Sequence, residues 1–195
     1  MTIDPPHHIY AALIGALWIA WGLYWWLASF GVKPAVRRES VASRMAHILP
    51  MIIGAWMLIV PALPGHVLSG RILPQSAWWP ALGVVVLAAG LLFTVWARRV
   101  LGGNWSGTVT LKAGHELVRS GPYRYVRHPI YTGLLLGYVG CALAVGEWRG
   151  VVACLIVAAG FWRKLKLEER WMIETFGDGY RRYRGETAAL IPFLL

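Results

Sequence analysis

Apolar residues fall into five runs along the chain, and the length of each run predicts the architecture. The first ten residues, MTIDPPHHIY, read as a short aqueous tail. Ile9 to Phe30 is then apolar for 22 residues, enough to cross a hydrocarbon core of about 30 Å. Trp18, Trp21, Trp25 and Trp26 crowd its second half, where indole rings serve either a headgroup layer or packing inside a bundle. A polar connector, residues 31–46, carries Lys33, Arg37, Arg38 and Arg44. The second run, residues 47–63, contains Pro50 and Pro61, which a membrane helix tolerates when its neighbours satisfy the freed carbonyls. After a loop over 64–76, the third run covers residues 77–97. Trp78 and Trp79 stand at one end, Trp96 at the other, and Arg98 and Arg99 act as a stop. The last two runs, 129–146 and 148–162, are short and meet at Glu147, which predicts a tight helical hairpin. A charged amphipathic helix and the terminal IPFLL follow over residues 163–195. The expected fold is all-α: a polytopic membrane protein of about five transmembrane helices, the last two a short hairpin.

Composition agrees with that pattern. Of 195 residues, 57% are apolar and 14% charged, against about 25% charged in soluble domains. The net charge of +10 does not point to nucleic acid, because the basic residues sit in the gaps between apolar runs. Seventeen of the nineteen Lys and Arg residues fall on one side of the predicted spans and two on the other. The positive-inside rule then places residues 97–129 and the tail on the cytoplasmic face and the N-terminus outside. Cys141 and Cys154 lie within apolar runs without metal or redox spacing, so they read as packing groups, and no metal site is expected. Nor is a cleavable signal peptide expected, since no basic region precedes the first apolar run.

Two polar clusters stand out against this background. LVRSGPYRYVRHPIYTG, residues 117–133, packs two prolines, two glycines, three tyrosines and four basic residues into the entrance of an apolar run. It closes a long segment, residues 101–127, and loops of that length are usually functional or disordered. The glycine, aromatic and β-branched content argues against disorder. The second cluster, residues 163–170, sets Glu168 and Glu169 just beyond the fifth run, where an acidic group near bilayer depth is costly unless paired. A solvated helix face with i,i+4 pairs, such as Lys164 with Glu168, explains the same spacing. Gly133, Gly137 and Cys141 recur every four residues, a stripe that permits close helix approach.

These residues carry a resemblance. HELVRSGPYRYVRHPIYTG, followed by EERWMIETFGDGYRRY and IPF, resembles the isoprenylcysteine carboxyl methyltransferase family and its phospholipid methyltransferase relatives, over roughly residues 98–193. The resemblance implies S-adenosylmethionine as cofactor, bound without a Rossmann domain, and no strand–GxGxxG–helix signal is present. It implies cofactor contacts at His115, Glu116, Leu117, Val118, Tyr123, His128, Pro129, Ile130, Tyr131 and Glu168. Glu168, Lys164 and Arg163 are the expected catalytic residues. Lys164 stands where the family commonly has an arginine for the acceptor carboxylate, and lysine offers a point charge in place of a planar fork. Residues 1–97 then form a three-helix membrane region and 98–195 the catalytic region, with its cofactor site and C-terminus cytoplasmic.

The expected function is methyl transfer to a lipophilic acceptor, an isoprenylcysteine-like carboxylate or another small lipid, reached through a slot among the third to fifth spans. The partners are that lipid and the bilayer. Two alternatives remain: an NADPH-dependent sterol-reductase-like enzyme, which shares a similar Arg-His-Pro-x-Tyr region, and a haem-binding protein using His47, His66 or His128.

Overall fold

The structure is a computed structural model that describes residues 5–60, 68–107, 109–112, 114 and 116–192. Pro61, His66, His115 and the terminal residues 193–195 lie outside the described residues. Among the described residues, six α-helices run α1 (Pro5–Leu27), α2 (Val41–Ile59), α3 (Trp78–Leu101), α4 (Pro129–Val145), α5 (Trp148–Phe176) and α6 (Asp178–Glu186). Two short strands, β1 (Ala35–Arg38) and β2 (Thr110–Lys112), pair antiparallel with Arg38 opposite Thr110. Among the described residues, α1, α2 and α3 are long and apolar enough to cross a membrane, and α4 is a shorter apolar helix. The fifth apolar run forms the first half of α5.

Several boundaries differ from expectation for local reasons. Helix α1 already begins at Pro5 within the expected tail, since proline is tolerated in a first turn, where its missing N–H has no partner to lose. Helix α2 starts six residues before its apolar run because Ser40 caps it, its Oγ accepting from Ser43 N at 3.2 Å. Arg98 does not stop α3. It is buried, donates to the Gly102 carbonyl at 2.7 Å and to the Ala28 carbonyl, and so staples the ends of α3 and α1 together. The two-stranded ribbon joins the polar connector 31–46 to the long aqueous segment 101–127. The tail is not a separate helix at first: α5 runs unbroken for 29 residues, about 43 Å at 1.5 Å per residue. It ends only at Gly177, whose φ of 53° favours glycine.

The close packing lies between α3 and α4. A Cβ placed on Gly90 would stand 2.5 Å from the Gly133 carbonyl, and one placed on Gly140 would stand 2.6 Å from the Gly83 carbonyl. Backbone touches backbone along this seam, so no slot opens between these two spans. Helix α2 packs on α5 and α1 on α3, while α1 and α2 make at most marginal contact with each other. At the hairpin tip, Gly146 turns the chain with φ 68°. There the buried Arg149 binds Glu147 at 2.7 Å and the carbonyls of Met57 and Val60 at the end of α2.

Candidate active site

The ends of α1 and α3, the starts of α2 and α4, and the middle of α5 converge at one end of the bundle around a cavity of about 290 Å³. Of the residues expected to hold a cofactor, Glu116, Leu117, Val118, Tyr123, His128, Pro129, Ile130, Tyr131 and Glu168 all line it, as does Lys164. His115 is outside the described residues. Arg163 stands apart: its guanidinium turns to Ser43 at the start of α2, donating to that carbonyl at 3.0 Å. Successive residues on a helix point about 100° apart, so Lys164 and Arg163 cannot share one face.

Local structure places the central groups. Pro129 opens α4 at a position where it costs no hydrogen bond, which sets His128 at the mouth and Tyr131 in the first turn. The C-terminal segment holds this entrance. Arg127 N and His128 N donate to the carbonyls of Ala188 and Ala189 at 2.9 and 3.0 Å, and Thr132 Oγ1 donates to the Leu190 carbonyl at 2.7 Å. Tyr183 of α6 donates its hydroxyl to the Tyr123 carbonyl at 2.6 Å. A chain end of helix, turn and short segment thus clamps the knot onto α5.

The electrostatic centre joins α4 to the half of α5 beyond its apolar run. Tyr131 donates its hydroxyl to Glu168 Oε1 at 2.5 Å. His128 lies between two carboxylates, Nδ1 3.5 Å from Glu168 and Nε2 3.4 Å from Glu169. Nε2 has no aligned hydrogen-bond partner among the described residues, so its attraction to Glu169 is charge across space. Burial works against a charged imidazole, but the two glutamates outweigh it and raise the His128 pKa. Burial likewise works against the Glu168 carboxylate, and His128 and Lys164 win, holding it below the usual range. Glu169, buried beside His128 and bonded by Arg127 at 2.8 Å, is brought down to about 2. Tyr131 is stacked between His128 and Phe161, with centroids at 5.4 and 4.9 Å. The Lys164 ammonium sits 5.1 Å over the Tyr131 ring and donates to the Gly107 carbonyl at 3.2 Å.

The rest of the wall comes from residues that the sequence does not assign to the methyl-transfer site. Trp21 and Trp25 of α1 stack at 4.5 Å, and His47, Ile48 and Met51 come from α2. Trp105, Trp171, Tyr180 and Tyr183 also line the cavity. The tryptophan crowding of the first run is legible in sequence, and the packing reading holds for Trp21. Trp21 donates to Thr94 Oγ1 at 2.7 Å inside the bundle, whereas Trp26 is exposed. Tyr180 and Tyr183 fall within the FGDGYRRY motif, whose spacing alone assigns no role.

The donor set fits an S-adenosylmethionine-like molecule. Glu168 and Glu116 offer carboxylates for an ammonium or ribose hydroxyls, Tyr123 offers a ring for a sulfonium, and the apolar Leu117, Val118 and Ile130 suit an adenine, while the faces of Tyr131 are already taken by His128 and Phe161. Among the described residues no group of three or more His, Cys, Asp or Glu side chains could hold a metal.

Fold and site together define an integral membrane helical protein with a buried charged cavity at one end of its bundle. A model of the phospholipid methyltransferase family matches residues 78–179, just over half of the chain, and the chain belongs to that family. A steroid 5-alpha-reductase of Solanum lycopersicum is 28% identical over 113 residues, covering 58% of this chain and 41% of that protein. The protein-S-isoprenylcysteine O-methyltransferase of Schizosaccharomyces pombe is 32% identical over 84 residues, 41% of this chain and 34% of that one. The chain therefore spans half or less of the length of these relatives. The structure of a eukaryotic intramembrane Ras methyltransferase, isoprenylcysteine carboxyl methyltransferase, superposes with a TM-score of 0.69 at 20% identity. It covers 99% of this chain and 70% of that one, a likeness of fold.

Proposed function

We propose that this protein transfers a methyl group from S-adenosylmethionine to a lipophilic acceptor at the membrane. The observation that carries this is the union, in one cavity, of the Tyr131–Glu168–His128 centre with the apolar wall of Trp21, Trp25 and Met51. Bound there, the cofactor supplies an electrophilic sulfonium methyl group. The residues 116–131 and Glu168 hold it, Tyr123 gives cation–π attraction of about 0.5–2 kcal/mol, and Lys164 faces the acceptor. Holding the two reactants in line is worth roughly 7–11 kcal/mol, and a rigid clamp on α4 and α5 serves that end.

The acceptor enters sideways from the bilayer between α1 and α2, whose marginal mutual contact leaves the apolar wall reachable. The catalytic groups belong to residues 98–195, and α1 and α2 complete the acceptor side. The cavity faces the cytoplasm, where the basic segments put it.

The reductase-like sequence match favours a second reading, in which the cavity takes a nicotinamide cofactor. Calorimetry on detergent-purified protein decides. Binding of S-adenosylhomocysteine with no binding of NADPH supports methyl transfer, and the reverse sinks it. A Soret band in protein as isolated would instead support haem.

A further inference from the structure

One wall of the cavity holds a buried histidine, backed by a glutamate behind the wall, that the methyl-donor site does not use. His47, in the second turn of α2, is 1% exposed, and Glu39, just before that helix, is 7% exposed. His47 Nε2 lies 3.4 Å from Glu39 Oε1. Glu39 is fixed in place: its backbone N–H donates to the Val109 carbonyl and its Oε1 accepts from Val109 N, both at 3.0 Å. Neither ring nitrogen of His47 has a hydrogen-bond partner among the described residues, and Glu39 Oε2 has none either. Three buried polar atoms left open at one spot would cost about 1–3 kcal/mol each, so natural proteins rarely keep such a group without a use. His47 borders the same cavity as Tyr131, Lys164 and Glu168.

We propose that His47, backed by Glu39, takes the proton from the acceptor's nucleophile, and that the acceptor is a lipid bearing a protic nucleophile and not a carboxylate. This rests on the methyl-transfer reading above. A carboxylate is already ionised and needs no base, so a base-and-carboxylate pair beside the cavity serves a group that must lose a proton: a hydroxyl, a thiol or an ammonium. A lone pair on the acceptor heteroatom forms the new bond to carbon, and the sulfur–carbon bond of the donor breaks with its pair left on sulfur. The proton passes to the imidazole, and the electron pair of its bond stays on the heteroatom. The positive charge of the donor thus reappears on His47, next to Glu39. The charged groups around that imidazole are Glu39 on one side and Lys164, Glu168 and Arg163 of α5 on the other.

The test uses full-length wild-type, His47→Gln and Glu39→Gln proteins in detergent. Calorimetry with S-adenosylhomocysteine checks the donor site. Turnover is then measured with farnesyl compounds ending in a hydroxyl, a thiol, an amine or a carboxylate. Quenching of tryptophan fluorescence by each compound, with S-adenosylhomocysteine bound, measures acceptor binding apart from activity. The expected result is methylation of a protic member and not of the carboxylate. His47→Gln should lower kcat by about 10²–10⁴ and abolish the acid limb of its pH profile, with binding of both ligands unchanged. Glu39→Gln, which keeps an oxygen for Val109 N–H, should lower kcat less and shift that limb, and it carries the test if His47→Gln does not fold. Methylation of the carboxylate alone, or full kcat in both variants, overturns the proposal while leaving methyl transfer standing. Failure of the wild type to bind S-adenosylhomocysteine overturns both.

Discussion

The hydroxyl of Tyr131 donates to the carboxylate of Glu168 at 2.5 Å, across 37 positions of sequence. This bond ties the first turn of α4 to the part of α5 that has left its apolar run. It makes one site of two clusters that are separate in the chain, and it orients the Glu168 oxygens toward the cavity they border.

Removing that hydroxyl should loosen the site without emptying it. Tyr131→Phe keeps the ring stacked between His128 and Phe161 but loses a hydrogen bond to a charged group, worth about 1.5–3 kcal/mol. The expected outcome is a lowered melting temperature and S-adenosylhomocysteine affinity weakened about tenfold. Unchanged affinity would mean that Glu168 does not meet the cofactor.

Glu169 should matter more for folding than any exposed charge. It is 3% exposed and balances both Arg127 and His128. Glu169→Gln leaves the buried Arg127 without its carboxylate and His128 with Glu168 alone, at a cost of about 3–5 kcal/mol. Arg181→Gln, which breaks an exposed pair with Asp178, should cost at most about 1 kcal/mol. Urea denaturation of the two variants gives the comparison, and equal losses would refute it.

Stability should pass through a plateau in mildly acidic buffer. Glu169 has its folded pKa depressed from 4.5 to about 2, so its contribution is complete above 4.5 and is lost as pH falls toward 2. Glu168 is depressed also and acts in the same direction. His128 has its folded pKa raised above 6.5, so its contribution is complete below 6.5 and is lost as pH rises through the raised value. Melting curves across pH should show both limbs, with His128→Gln flattening the alkaline one. A mutant that retained the full alkaline decline would place the cause elsewhere.

The seam between α3 and α4 should reject a single methyl group. Gly90→Ala brings a Cβ to 2.5 Å from the Gly133 carbonyl, a backbone atom that can yield only if the helices part. Overpacking of this kind costs about 1–3 kcal/mol or more. Gly15→Ala, with nothing within 4 Å, should be neutral in the same thermal assay.

How much of this was readable beforehand follows from the range of each interaction. Apolar run lengths are local, so the membrane helices were legible, and so was the RHPIYTG knot. The continuity of α5 was not, because charge at Arg163–Lys166 reads as an end to a membrane span, although helix propensity carries on through it. The burial of Arg98 depends on a carbonyl 70 residues away, which periodicity does not record. Trp21, Trp25 and His47 became part of the site only when α1 and α2 closed against α4 and α5. Arg163 and Lys164 are neighbours in sequence, and only the helix's rotation separates their surroundings.

Because α5 continues without a break from the hairpin tip to Phe176, a change in tilt of its apolar half would be carried into its charged half. Tilting to suit a thinner or thicker membrane would swing Lys164 and Glu168 relative to α4. If the proposed methyl transfer holds, turnover should therefore vary with acyl-chain length in reconstituted vesicles, which would make the host membrane a setting of the protein as well as its solvent.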